Sequence, residues 1–313
     1  MQAFHRILAA LLALLLLASI LALAAPFGWP FELFAHFRAQ YAAAGVLLAV
    51  LLAWRRRAVP AVLALALGLW HAAPGVRSAV AAGGAPACEG PALTVVTANL
   101  QYSNLDHEAF LGWLATRPAD LVLVQEVTAE WAAALEARSG YAHRHLSPRE
   151  DPYGIGVLSR WPLESIGLLD LADDGFPSIA GTVSIDGRRI RFLGLHTHWP
   201  VLAGLAEQRD LTLVRAAALA RATTDPLVMG GDLNLTPYSP AYGRLIAESG
   251  LADVMEGRGW HPTWLAGFWP LALRIDHLFV SPGVCVDHAE VGPAIGSDHR
   301  PVIARLRLPQ PAG

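Results

Sequence analysis

Residues 7–25 form nineteen positions without a charge, dominated by leucine and alanine, and two more uncharged runs follow at 39–54 and 58–76. A chain that opens this way cannot leave all three runs in water. About twenty apolar residues cross a hydrocarbon layer of ~30 Å. The first and third runs suffice, and the second is short but bounded by Tyr41 and Trp54, residues suited to the membrane interface. A soluble core would need far more polar surface than 76 residues of this kind can supply. Residues 1–76 therefore read as a three-helix membrane anchor. The rival for the first run is a cleaved signal peptide, given the basic start at His5 and Arg6 and the A-x-A end at residues 22–24. Orientation follows from Arg55, Arg56 and Arg57 between the second and third runs, because positive loops stay in the cytoplasm. The expected location is the inner (plasma) membrane, multi-pass, with everything after residue 89 periplasmic or otherwise extracytoplasmic.

The charge divides at the same place. Residues 1–88 carry six arginines against the single acid Glu32, a net +5, while the remainder carries 17 arginines against 25 acids, a net −8, with no lysine anywhere. With 54% hydrophobic and 16% charged residues, a disordered chain or one that coats nucleic acid is excluded. Residues 77–91 are small and rich in Gly and Pro, which reads as a linker. From there, short β-rich runs are expected at 93–100, 120–127, 154–160, 179–185, 189–196, 227–231, 275–281, 284–291 and 302–308. Helices are expected at 106–116, 129–138, 202–222 and 240–249, the first capped by Asp106. Consecutive strands without helices between them, at 154–196 and 275–308, exclude a purely parallel sheet. Residues 92–310 are thus expected to be one α/β sandwich with mixed sheets.

The chemistry sits where apolar strands end. Asn99, Glu126, His196, Asp232 with Asn234, Asp276, and Asp298 with His299 each follow or interrupt such runs. A carboxylate at the end of a buried strand is costly unless it is paired or ligated. Eight such residues at six positions in one domain imply convergence on one site. Glu126, Asn99 and Asp298 offer hard oxygens that suit Mg²⁺ or Mn²⁺, and no Cys/His group has zinc spacing. Asp232 and Asn234, two apart, can face one side of an extended segment and align a water. His299 is a base whose tautomer Asp276 could fix, and His196 supplies a further donor. Together they describe in-line hydrolysis at phosphorus.

The pieces TANL, QEV, YGIGVLSR, LHTH, GDLN followed by Thr236-Pro237, RIDHLFVS and SDHRP occur in one order over residues 93–308. In that order they resemble the endonuclease/exonuclease/phosphatase superfamily, the DNase I-like fold. The resemblance implies a two-sheet sandwich with outer helices, here preceded by three transmembrane helices. It implies that Glu126 binds the metal with Asn99 beside it, and that Asp232 and Asn234 position the nucleophile or scissile phosphate. It further implies that Asp276 pairs with the general base His299 and that His196 contacts phosphate.

The membrane prefix is similar to the membrane-anchored branch associated with glycopeptide resistance, some of whose members act on polyprenyl pyrophosphates. Three partners are weighed on that basis. The lipid bilayer and a lipid-linked phosphate substrate fit. Nucleic acid does not, because duplex binding draws on Lys and Arg and this part carries −8. A nuclease or phosphodiesterase, or a catalytically silent tethered binding module, are the alternatives. The apolar stretch at 261–273 could dip into the interface beside the site. Cys88 and Cys285 are the only cysteines and both fall outside the membrane part, so a bridge between them is expected. For His198, Asp253 and Trp264 both a structural and a site role remain open.

Overall fold

The computed structural model describes residues 2–81 and 88–309. The chain divides into two compact units. The first holds the N-terminal helices together with Leu235–Gly243 and Gly257–Trp260, and the second holds the remaining described residues.

In the first unit, α1 (Gln2–Leu23), a short α2 (Glu32–Ala35), α3 (Arg38–Trp54) and α4 (Ala58–Ala81) follow one another. By length and composition, α1 and the Ala58–Arg77 part of α4 could cross a membrane, whereas α3 is a shorter apolar helix. Three spans are expected from sequence; two helices of spanning length are found. The reason is the length of α3, whose 17 residues rise only about 25 Å at 1.5 Å per residue. Helices α3 and α4 pack closely at paired glycines, since a Cβ added to Gly45 would stand 2.7 Å from the Gly68 Cα. Leu8 and Leu15 of α1 join Leu48, Leu52 and Ala64 in a small core. Leu14, Leu47, Val50, Val62 and Leu69 face outward, exposed. The linker expected at 77–91 begins later than its composition suggests, because α4 continues to Ala81; residues 82–87 lie outside the described residues. A second departure is the segment Leu235–Gly243, which groups with these helices. Its Ser239 hydroxyl donates to the Glu32 carboxylate, and Thr236 Oγ1 lies 3.0 Å from His36 Nδ1.

The second unit is built on two six-stranded sheets. The first contains β1 (Ala92–Asn99), β2 (Leu121–Gln125), β3 (His143–Ser147), β4 (Ile155–Ser159), β11 (Cys285–Val291) and β12 (Val302–Arg307). Their order is β11-β12-β1-β2-β4-β3. The second contains β5 (Leu163–Asp170), β6 (Pro177–Ile185), β7 (Arg188–His196), β8 (Leu227–Asp232), β9 (Ala252–Asp253) and β10 (Asp276–Val280), in the order β5-β6-β7-β8-β10-β9. Only β1–β2 and β7–β8 are parallel; the other pairs are antiparallel. Each parallel pair is joined through a helix, α5 (His107–Thr116) in one and α7 (Ala203–Ala222) in the other. Helices α6 (Ala129–Arg138) and α8 (Pro240–Ser249) complete the expected set within a residue at each end. Asp106 caps α5 by accepting from the Ala109 NH, as its position predicts.

Side-chain alternation divides the apolar residues into two layers. Leu93 and Val95 of β1 and Leu121 and Leu123 of β2 meet Ile179, Phe192 and Val228 of the other sheet between the two. Their neighbours Val96, Ala98, Val122 and Val124 pack on the other face with Phe110 and Trp131 of α5 and α6. Cys88 and Cys285 form a disulfide, with Cα atoms 5.9 Å apart. The α/β sandwich expected from sequence is therefore present.

Candidate active site

Both parallel pairs run out at one place. Asn99 ends β1, Glu126 follows β2, His196 ends β7, and Asp232 ends β8 directly beside it in register. Antiparallel β10 begins there with Asp276, which is the register partner of Asp232. Asp298 and His299 precede β12. All eight residues nominated from sequence lie in the second unit around this strand-end cleft.

Their contacts assign different tasks. Asn99, fully buried, donates its amide hydrogens to Glu126 Oε1 at 2.8 Å and to Asp232 Oδ2 at 3.0 Å. Its own oxygen accepts the Gln101 NH at 2.9 Å. Asn99, expected as an oxygen ligand for a metal, thus braces the two acids. Glu126 receives the Tyr102 NH on its second oxygen at 2.7 Å. Its backbone sits at φ 60°, in the left-handed region, which is costly for a non-glycine residue and here aims the carboxylate out of the strand. His196 Nε2 lies 3.6 Å from Asp232 Oδ2 and 4.0 Å from Glu126 Oε1. His299 Nδ1 is bound to Asp276 Oδ2 at 2.8 Å, which fixes the ring and leaves Nε2 3.8 Å from Asp232 Oδ2. Asp298 is held by the Trp264 indole NH at 3.0 Å. Asn234 departs from the extended segment expected of it. It turns at φ 49°, hands its NH to Asp232 Oδ1 and its amide to the Thr197 carbonyl.

Burial and charge shift these groups in opposite directions. Burial pushes Glu126 and Asp232 up, with the Asp298 charge adding to the first and the Asp276 charge to the second. Burial holds His196 below its ordinary value. For His299 burial acts downward too, but the Asp276 and Asp232 carboxylates outweigh it and raise the imidazole to about 10. Four acids and two histidines are crowded here, with His299, held protonated by Asp276 and Asp232, as the compensating charge, and they form a set that could hold a divalent ion. Glu126, His196 and Asp232, and again Asp232, Asp276 and His299, place possible donor atoms within 4.8 Å of one another. These hard donors fit the metal that the sequence implies, with Glu126 and Asp232 as the carboxylates that would hold it. Its charge would also offset that of the acids, returning His299 toward the range in which it accepts a proton.

Three further residues belong here. Thr263 Oγ1 accepts the NH groups of Ile275 and Asp276, fixing the start of β10. Trp264, readable from sequence as a packing residue, holds Asp298. Tyr153 lies against His196, with ring centroids 5.3 Å apart; the motif YGIGVLSR contains it, but a tyrosine ahead of a strand carries no signal of its own. Asp253, by contrast, is spent on Arg274 at 2.7 Å and is structural.

A family model, that of the Endonuclease/Exonuclease/phosphatase family, matches residues 96–299. The chain belongs to this family. Membership brings metal-dependent phosphohydrolase activity with it. Among solved structures, the endonuclease/exonuclease/phosphatase of Beutenbergia cavernae is 25% identical with a TM-score of 0.58, covering 70% of this chain and 72% of that one. The Neisseria 3′ phosphatase NExo, bound to a product DNA hairpin, is 23% identical with a TM-score of 0.57, covering 68% and 98%. A humanized D. rerio TDP2 is 18% identical with a TM-score of 0.58, covering 69% and 99%. No match was found among curated proteins. The family match lies in the part of the chain that follows the N-terminal helices.

Proposed function

We propose that this endonuclease/exonuclease/phosphatase family member is a membrane-anchored, Mg²⁺- or Mn²⁺-dependent hydrolase. Its substrate is a lipid-linked phosphate or pyrophosphate of the polyprenyl class, and it acts outside the cytoplasm, as in the family's glycopeptide-resistance-associated branch. The observation that carries the reading is an exposed apolar rim flanking the site residues in the chain. Directly after His196–His198 stand Trp199 and Leu202, 60% and 61% exposed, and between Trp264 and Asp276 stand Phe268, Trp269 and Leu271, also exposed. Apolar side chains kept in water beside a phosphate-directed site suit a substrate with a hydrocarbon tail or a bilayer surface. Two further features support it. The Glu32–Ser239 and His36–Thr236 bonds tie the turn between α1 and α3 to Leu235–Gly243 of the same unit, which suits a turn lying outside the cytoplasm. The Cys88–Cys285 bridge suits an oxidising compartment. A lipid-anchored site also meets its substrate at high effective concentration.

A nuclease is the second reading, favoured by the DNA product bound to the Neisseria phosphatase. The lysine-free, net −8 composition after residue 88 opposes it. Turnover on polyprenyl pyrophosphate, single-stranded DNA and duplex DNA, measured on the full chain under matched Mg²⁺, separates the two. Faster cleavage of either DNA overturns the lipid reading.

A further inference from the structure

The N-terminal unit holds a polar cluster that a plain anchor has no need of. His71 of α4 is buried in an otherwise apolar helix, and its Nε2 lies 2.9 Å from Ser19 Oγ of α1. The Ser19 hydroxyl gives its hydrogen to the Leu15 carbonyl at 2.7 Å. Nε2 must therefore donate, which leaves Nδ1 of the neutral ring with a lone pair. That Nδ1 is buried and has no partner among the described residues, a costly state in a protein interior and more so in hydrocarbon. Around His71 stand Tyr41 of α3, with ring centroids 5.0 Å apart, and Trp70, at 4.5 Å. The Arg38 guanidinium lies over the Trp70 ring at 4.7 Å. Stacking takes up the face of a guanidinium and leaves its N–H edge. Among the described residues no hydrogen bond or ion pair engages that edge or the Tyr41 hydroxyl. The one acid before residue 89 is Glu32, which is bound to Ser239. Arg38 also opens α3, at the opposite end from Arg55–Arg57, so the positive-inside rule disfavours it there. An arginine so placed calls for an anion.

Tyr41, one turn from Arg38 on the same helix face, also lines a cavity of about 550 Å³ between α1 and α3. Leu14 and Leu17 form one side of it, and Ala44, Leu47 and Leu51 the other. From Tyr41 to Leu51 the helix rises about 15 Å, the depth of one leaflet of a ~30 Å hydrocarbon layer. Leu14 and Leu47 are each 61% exposed, so the slot opens sideways. A single slot between two helices takes one chain, and a two-chain phospholipid would leave its second chain outside. We propose that the N-terminal unit binds a single-chain lipid phosphate, with its chain in the α1–α3 slot and its phosphate on Arg38 beside Tyr41 and His71. The proposal rests on the membrane-anchored, lipid-phosphate reading given above and adds a binding site for that class within the anchor. A phosphate monoester brings an anionic oxygen for the guanidinium and a hydroxyl hydrogen that a ring lone pair accepts.

Photolabelling of the full chain in phosphatidylcholine nanodiscs tests this, with a polyprenyl phosphate that carries a diazirine on its chain. Label is expected on Leu14, Leu17, Leu47 and Leu51, and not on Val62 and Leu69, which face outward from α4. Plain polyprenyl phosphate should compete, with polyprenol and phosphatidylglycerol weaker by about tenfold or more. Arg38→Gln should weaken binding by about tenfold or more, and Arg38→Lys by less. Ala44→Trp, which fills the slot, should abolish labelling. All three variants should hydrolyse bis(p-nitrophenyl) phosphate with Mg²⁺ at the native rate, because none touches the reaction centre. Label spread evenly over outward-facing residues, equal competition by phosphatidylglycerol, or unchanged binding by Arg38→Gln overturns the proposal. If Arg38→Gln does not fold, Ala44→Trp and the competitor series decide by the same criteria. Labelling of the slot in a chain that leaves polyprenyl pyrophosphate intact keeps the site and overturns the substrate reading instead. Hydrolysis accompanied by evenly spread label does the reverse.

Discussion

Among the acids of the candidate site, Glu126 alone has its backbone bent into the left-handed region, and two donors, from Asn99 and the Tyr102 NH, then hold the carboxylate. Glu126→Gln keeps the volume and removes the charge that would hold a cation. Phosphohydrolase turnover should fall by about 10²-fold or more, and native turnover would remove Glu126 from the site. His299→Ala should cost about 10²–10⁴ in kcat, read in the same assay. The shifted groups also set a pH dependence for the metal-free chain. His299 binds its proton more tightly folded than unfolded, so its contribution is complete below about 6.5 and lost as pH rises toward about 10. His196, shifted down, acts only below that window, and Tyr153, raised to about 12, only above it. The melting temperature without metal should therefore fall between pH 6.5 and 10, and Mg²⁺ should flatten the slope because it replaces protons among the acids. A melting temperature that rises with pH over that window would contradict the assignment. Asn99, Glu126, Asp232 and Asp276 were legible in sequence because each stands where a β-rich apolar run begins or ends, and His299 was legible through the SDHRP piece of the family order. The place of Tyr153 beside His196 was not, since it depends on which loops meet.

At the scale of elements, the pair β7–β8 carries the site, setting His196 beside Asp232. That register needs Gly231. Its φ is 149°, and a Cβ there would stand 1.8 Å from the Leu195 carbonyl oxygen. Gly231→Ala should destabilise the chain by about 3 kcal/mol, seen as a lower melting temperature together with lost activity. An unchanged melting temperature would mean that the strands pair otherwise. Legibility follows burial at this scale too. The central strands were readable because both faces are apolar. By contrast β3, β5 and β9 went unseen. The polar β3 runs HRHLS at a sheet edge, β5 is an edge strand with a register shift between Glu164 and Gly167, and β9 has two residues. Such strands are set by their neighbour's hydrogen bonds, which leave no periodic mark.

For the whole molecule, the arginine cluster at residues 55–57 makes a prediction that the two spanning-length helices alone do not. A reporter active only outside the cytoplasm should work when fused after residue 90 and stay silent when fused at residue 57. The reverse pattern would end the extracytoplasmic reading. The N-terminal apolar helices were legible as hydrophobic length, but not the attachment of Leu235–Gly243 to them, which rests on two polar bonds that no sequence pattern announces. The disulfide bears on time. Cys88 stands just ahead of β1, and its partner comes 197 residues later. A ribosome adding about 10 residues per second makes the first cysteine wait on the order of 20 s for the second. Over that interval β1 also lacks β12, one of its two neighbours. The first sheet can close only when the end of the chain arrives, so synthesis leaves a lone thiol and an open strand edge side by side. Whatever receives the emerging chain must keep both unengaged until the final strand is made.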